Sequence, residues 1–134
     1  GSGLTACEVA LHLANNGRDV TVLCRRDMMA YETFGYYRNA LLDAMDARGI
    51  HQMLKTKTLS IAKDGVTVEK DGEKFVVPAD TVIYSTGIRP DAAAVEELKA
   101  LAGEISVKVI GDALASGKMG DAVRGGYMAA MEIV

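Results

Sequence analysis

Three observations predict an α/β fold for this sequence. Apolar residues recur at helical spacing over residues 4–16 and 33–48. Each stretch stops at a glycine, Gly17 or Gly49, and a short apolar run follows, residues 20–23 or 50–54. The chain also opens on Gly1-Ser2-Gly3-Leu4-Thr5-Ala6, a turn of small residues that runs straight into the first helix. Such alternation builds a parallel sheet with helices on both faces. The expected fold is therefore α/β and Rossmann-like, in three layers. A strand normally precedes a glycine turn of this kind, and none stands before Gly1. The first strand is accordingly expected to be missing and the chain to be a fragment.

The elements follow in order. In residues 4–16, Glu8, His12, Asn15 and Asn16 share one side, while Leu4, Cys7, Val9, Ala10, Leu11, Leu13 and Ala14 fill much of the rest. That predicts a helix mostly buried against a sheet. The stripe of the second helix is Phe34, Tyr37, Leu41, Ala44 and Met45, with Thr33 as the expected N-cap. Asp64-Gly65 and Asp71-Gly72 are hairpin-turn pairs, and they divide residues 57–62, 66–70 and 74–77 into a three-strand antiparallel meander. Residues 81–84 and 107–110 are expected as buried strands, residues 92–101 as a helix, and a last helix from about Asp121 to the end.

Composition narrows the function classes. The chain has 134 residues, 49% hydrophobic and 25% charged, with a formal net charge of −3, which suits a globular domain with a core. No basic tract suggests nucleic acid, and no apolar run is long enough for a membrane span. The two cysteines, Cys7 and Cys24, form neither a Cys-x-x-Cys pair nor a zinc pattern, so a reducing, cytoplasmic setting is expected. His12 and His51 lack partners at metal or nucleophile spacing. No metal site is expected.

The opening turn points to a nucleotide. Gly1 and Gly3 let the backbone approach a pyrophosphate, and the small Ala6 lets helix and strand pack closely. The helix start offers free N–H groups to phosphate. In NAD-binding folds an acid about 20 residues further on binds the ribose 2′-hydroxyl. Here Cys24-Arg25-Arg26 stands at the end of the second strand instead. Two guanidinium groups suit a 2′-phosphate, which favours NADPH over NADH.

The ordered motifs carry a resemblance. The nucleotide-binding unit, the meander, "TVIYSTGIRP" and "VKVIGDALASGKMGDAVRGGYMAAMEIV" together resemble the two-dinucleotide-binding-domain flavoproteins. Within them the chain is most similar to the C-terminal region of the 2,4-dienoyl-CoA reductase, enoate reductase and NADH:flavin oxidoreductase group, over essentially all its residues. The resemblance implies an NAD(P)H-binding domain over residues 1–90. It implies that residues 91–134 return to complete an FAD-binding domain in the parent protein. FMN on an old-yellow-enzyme-like barrel and an iron–sulfur cluster would lie outside this chain.

Residue by residue, Gly1, Gly3 and Ala6 match the pyrophosphate turn, with Ser2, Leu4 and Thr5 inside it. Glu8 matches a glutamate near the nicotinamide side, and Arg25 falls where NADPH-dependent relatives hold the 2′-phosphate. Gly87, Arg89 and Pro90 match a Gly-x-Arg-Pro segment that leads out of the NAD(P)H domain. Gly111-Asp112 matches a pair whose aspartate binds the FAD ribityl chain. Ala122 begins a helix directed at the flavin pyrimidine, and Gly125-Gly126 weakens that helix or permits a close approach.

The implied activity is hydride transfer from NAD(P)H to FAD, serving reduction of an activated carbon–carbon double bond in the parent. No side chain here is expected as acid, base or nucleophile. The redox-active disulfide of glutathione reductase-like relatives needs two neighbouring cysteines, which the sequence does not place together. The alternatives are an ADP-binding module without hydride transfer and a disulfide-reductase-like relative. The expected partners are nucleotide cofactors and the remaining parent domains. A homo-oligomer is one way to cover the sheet edge that a missing strand leaves open.

Overall fold

The computed structural model describes residues 1–133, in two compact units, Gly1–Gly87 and Ile88–Val134. In the first, α1 (Leu4–Asn15), β1 (Thr21–Leu23), α2 (Gly35–Ala47) and β2 (His51–Met53) follow one another. β1 pairs β2 in parallel, Thr21 opposite His51 and Leu23 opposite Met53. The core between these strands and the helices holds Cys7, Ala10, Val22, Cys24, Met29, Leu41, Met45 and Ile50. The meander follows as β3 (Lys57–Ala62), β4 (Gly65–Lys70) and β5 (Glu73–Pro78), antiparallel in the order β3-β4-β5. Gly65, Val66 and Val68 of the central strand are its buried residues. A mixed α/β, Rossmann-like architecture with an antiparallel meander is what these elements make.

The turns explain the meander. Lys70 pairs Glu73, which leaves the two-residue loop Asp71-Gly72 with φ of 52° and 85°. Both central residues at positive φ define the hairpin turn whose twist matches the strands. The other hairpin turns one residue earlier than the Asp64-Gly65 pair suggests. Ala62 pairs Gly65, so Lys63 and Asp64 form the loop, and Gly65 opens β4 at φ 137°.

Two expected strands are corrected. Residues 81–84 and 107–110 adopt no strand, and no backbone–backbone hydrogen bond from them bridges to another segment among the described residues. A strand exists only through its ladder, so apolar sequence alone does not make one. Ile83 and Tyr84 stand 56% and 79% exposed. Among the described residues β1 pairs only with β2, and β1 and residues 81–86 line a common cavity of about 1060 Å³. Thr5, Ala6, Val9 and Leu13 of α1 line it too, which is why only Cys7 and Ala10 of that helix are buried.

Smaller corrections concern helix ends. The N-cap of α2 is Phe34, without a side-chain bond, and the Thr33 hydroxyl is buried with no partner among the described residues. The turn through Ala30 displaces it, since Thr33 N donates to Ala30 O at 3.0 Å.

The second unit holds α3 (Ala92–Ala102), a 3-10 turn at Gly111–Ala113 and α4 (Met119–Met131). Asp91 caps α3 by accepting from Ala94 N at 3.1 Å. α4 starts two residues before Asp121, where Lys118 N donates to Asp121 Oδ2 and Asp121 N donates to Lys118 O, both at 2.9 Å. Its expected end at Val134 lies outside the described residues. The helix runs unbroken through Gly125 and Gly126, against which Ile110 packs at ordinary contact distance, 3.7 Å from a Cβ built at either. Neither α3 nor α4 buries a residue. No helix among the described residues is long and apolar enough to cross a membrane.

Candidate nucleotide-binding site

The first site is built on the opening turn. Gly3 is the N-cap of α1, with extended backbone, no side-chain cap and no acid in the first turn. The N–H groups at this helix start therefore favour an anion, and one of them, Leu4 N, donates to Glu32 Oε1 at 3.3 Å. Gly1 lies against residue 85, and a Cβ on it would overlap the Ser85 carbonyl oxygen. The turn is held by its neighbours. Ala30 N donates to Ser2 O at 2.7 Å, and Ser2 Oγ donates to Cys24 Sγ at 2.8 Å. Thr5 and Ala6 follow in the first turn of α1, Thr5 exposed and Ala6 half-buried.

Ala30 adopts φ 47°, unusual for a residue with a Cβ, and is fully buried. Arg38 Nε donates to Met29 O at 2.8 Å and ties α2 to the same loop. Residues 24–34 are thus wrapped over the glycine turn, a juxtaposition with no short-range sequence signal.

The cysteines meet here as well, which corrects the expectation that they stand apart. Cys7 Sγ donates to Ser2 O at 3.6 Å, while Cys24 Sγ accepts from Ser2 Oγ and donates to Met28 O at 3.3 Å. Both are buried free thiols. Burial pushes the Cys7 thiol above its ordinary range, and the adjacent Cys24 and Glu32 push the same way. A buried neutral thiol is a poor nucleophile. Cys24, only 1% exposed, fixes the turn through its bond from Ser2 Oγ.

Arg25 and Arg26 are both exposed, at the carboxyl end of β1. The Arg26 guanidinium lies over the Tyr31 ring, 3.5 Å from its centroid. That stack uses a π face and leaves the edge N–H donors available. Arg25 makes no ion pair among the described residues. Glu8 is engaged on the outer face of α1, where Tyr37 Oη donates to it at 2.7 Å.

The bond raises the Tyr37 pKa, because the carboxylate favours the neutral phenol by hydrogen bond and by charge. With the folded pKa above the unfolded one, the contribution of this bond is complete below the ordinary tyrosine pKa. It is lost as pH rises through the folded value. Of the five tyrosines, one is expected to ionise late in an ultraviolet titration, and Glu8→Ala, which removes both the acceptor and the charge, should abolish the delay. Unchanged ionisation in that variant would show that the bond does not persist in solution.

In the second unit, Ile110, Gly111, Asp112, Lys118, Ala122 and Gly125 line a cavity of about 140 Å³. Gly111 adopts φ 59°, and Asp112 Oδ1 accepts from Gly117 N at 3.2 Å. Asp112 thus braces its own loop while remaining exposed. Gly87, at φ 87°, ends the first unit. No cluster of three or more metal-ligating side chains occurs among the described residues.

Residues 1–112 match the pyridine nucleotide-disulphide oxidoreductase family. The chain belongs to this family. An NADH oxidase of Thermoanaerobacter brockii is 32% identical over 136 aligned residues, covering 99% of this chain and 20% of that protein. A metal reductase of Desulforamulus reducens is 28% identical and covers 90% of this chain and 18% of its own length. Among solved structures, the 6-hydroxypseudooxynicotine amine oxidase of Pseudomonas geniculata N1 superposes with a TM-score of 0.84 at 26% identity. It covers 98% of this chain and 20% of that one. The chain spans about a fifth of the length of these relatives. Membership of the pyridine nucleotide-disulphide oxidoreductase family makes this a domain of pyridine nucleotide-dependent oxidoreductase type. The turn requires its glycines, since a Cβ on Gly1 would overlap the Ser85 carbonyl oxygen and one on Gly3 would stand 2.7 Å from Glu32 Oε1.

Proposed function

We propose that this chain binds NADPH in a flavin-dependent oxidoreductase and presents it to FAD, in service of reducing an activated carbon–carbon double bond. The observation that carries the reading is the glycine start of α1, where Gly3 offers no side-chain cap of its own, together with two exposed arginines at the end of β1. The turn would take the pyrophosphate, Arg25 and the edge of Arg26 the 2′-phosphate. Gly111, Asp112 and Ala122 would contribute to the flavin side. FAD supplies the hydride-accepting chemistry, and this chain's residues bind and orient. Dienoyl-CoA or enoate substrates are proposed from the motif order of residues 81–134. FMN and an iron–sulfur cluster would then lie outside this chain.

Rapid mixing of the full-length protein with NADPH tests the reading. Flavin bleaching under anaerobic conditions, reversed by an enoyl-CoA ester, is the expected result. Bleaching reversed only by a disulfide would favour the second reading, a disulfide reductase, which the family's name supports. Nucleotide binding without bleaching would leave a holding module.

Asp112→Ala is expected to lower FAD content in the purified full-length protein while any FMN stays bound. Chromatography of the extracted flavins measures this. Unchanged FAD would leave Asp112 with only its bond to Gly117 N.

A further inference from the structure

We infer that Glu32 is an internal anion seated at the pyrophosphate position of the glycine turn, and that a dinucleotide must displace it to bind. The inference rests on the nucleotide-binding reading above. α1 begins without a side-chain cap and without an acid in its first turn. A helix start of this kind attracts an anion. The chain supplies one from 28 positions away, where Glu32 Oε1 accepts from Leu4 N at 3.3 Å. The same oxygen crowds the second glycine, since a Cβ on Gly3 would stand 2.7 Å from it. The missing side chain that would admit a pyrophosphate thus admits the carboxylate.

The loop that carries Glu32 is pinned on either side of it. Ala30 N bonds Ser2 O, and Arg38 Nε bonds Met29 O. Glu32 itself is exposed and lies outside the hydrophobic core cluster. A pyrophosphate needs the N–H that Glu32 engages, and it would face the carboxylate's charge at contact distance. Both cannot occupy the turn. Binding is then an exchange of one anion for another, and the empty turn is held in shape meanwhile.

Titration calorimetry on the full-length protein tests this with NADPH and NADH, comparing wild type, Glu32→Gln and Glu32→Ala. Both variants should bind both nucleotides about two- to five-fold more tightly, the range of a surface charge at a helix end. The gain should be equal for the two, because the pyrophosphate is common to them. Inorganic pyrophosphate should displace NADPH from Glu32→Gln at a lower concentration than from wild type. Glu32→Gln preserves size and decides the matter if Glu32→Ala does not fold. Unchanged or weaker binding in the folded variants overturns the displacement and leaves the nucleotide reading standing. A wild type that binds neither nucleotide overturns both.

Discussion

Replacing Arg25 and Arg26 together with alanine is expected to weaken NADPH binding by about ten-fold or more while NADH binding stays nearly unchanged. Losing one charge-assisted hydrogen bond costs about 1.5–3 kcal/mol, and about 1.4 kcal/mol is a factor of ten. The two arginines differ in how they are held. Tyr31 fixes the guanidinium of Arg26 by stacking, whereas Arg25 has no ion pair among the described residues. Arg25→Ala alone should therefore remove a flexible contact, and Arg26→Ala a preorganised one. Tyr31→Ala should reproduce part of the Arg26→Ala loss without touching either charge. Calorimetric titration with each nucleotide reads all three. Equal losses for NADPH and NADH would mean that the arginines do not read the 2′-phosphate.

Gly65→Ala is expected to destabilise the first unit by about 3 kcal/mol, the upper range for a residue forced into a backbone region that side chains avoid. The position is closed twice over. Its φ is 137°, and a Cβ would overlap the Val77 carbonyl oxygen and stand 2.9 Å from Pro78 Cα. Those atoms are backbone of the paired strand β5, so they cannot yield as a side-chain tip would. Gly72→Ala makes the control. It carries φ 85° with open space around it, so only backbone strain applies, and a loss of about 1 kcal/mol is expected. Urea denaturation measures both. Equal losses at the two positions would show that the close approach of β5 at Gly65 contributes nothing.

The meander was legible because its determinants are local. Asp71-Gly72 specifies a two-residue turn, and alternating Val66 and Val68 specify which face is buried. The helices 4–15 and 35–47 were legible for the same reason, from apolar spacing and the glycines that end them. The strands expected at residues 81–84 and 107–110 were not legible correctly, since Val, Ile and Tyr supply propensity but a ladder needs a partner. Burial of α1 failed on the same ground, because one of its faces borders the cavity beside β1.

The candidate site divides in the same way. Gly1, Gly3, Ala6, Arg25 and Arg26 lie at spacings that the sequence displays, because a strand–turn–helix unit fixes what stands at its ends. What surrounds them came only from tertiary structure. Glu32 reaches Leu4 N, Ala30 bonds Ser2, and Cys7 and Cys24 converge on the same serine. Glu32, Ala30 and Cys24 are neither turn formers nor caps by type, and each acts across more than about twenty residues, a separation that no periodicity spans. The sequence by itself determined the fold class, the meander and the glycine turn that opens α1, since short-range sterics and hydrophobic spacing are sufficient for each. The tertiary structure alone decided which apolar runs become strands and which carboxylate occupies the helix start, because both depend on groups brought together only when the chain folds.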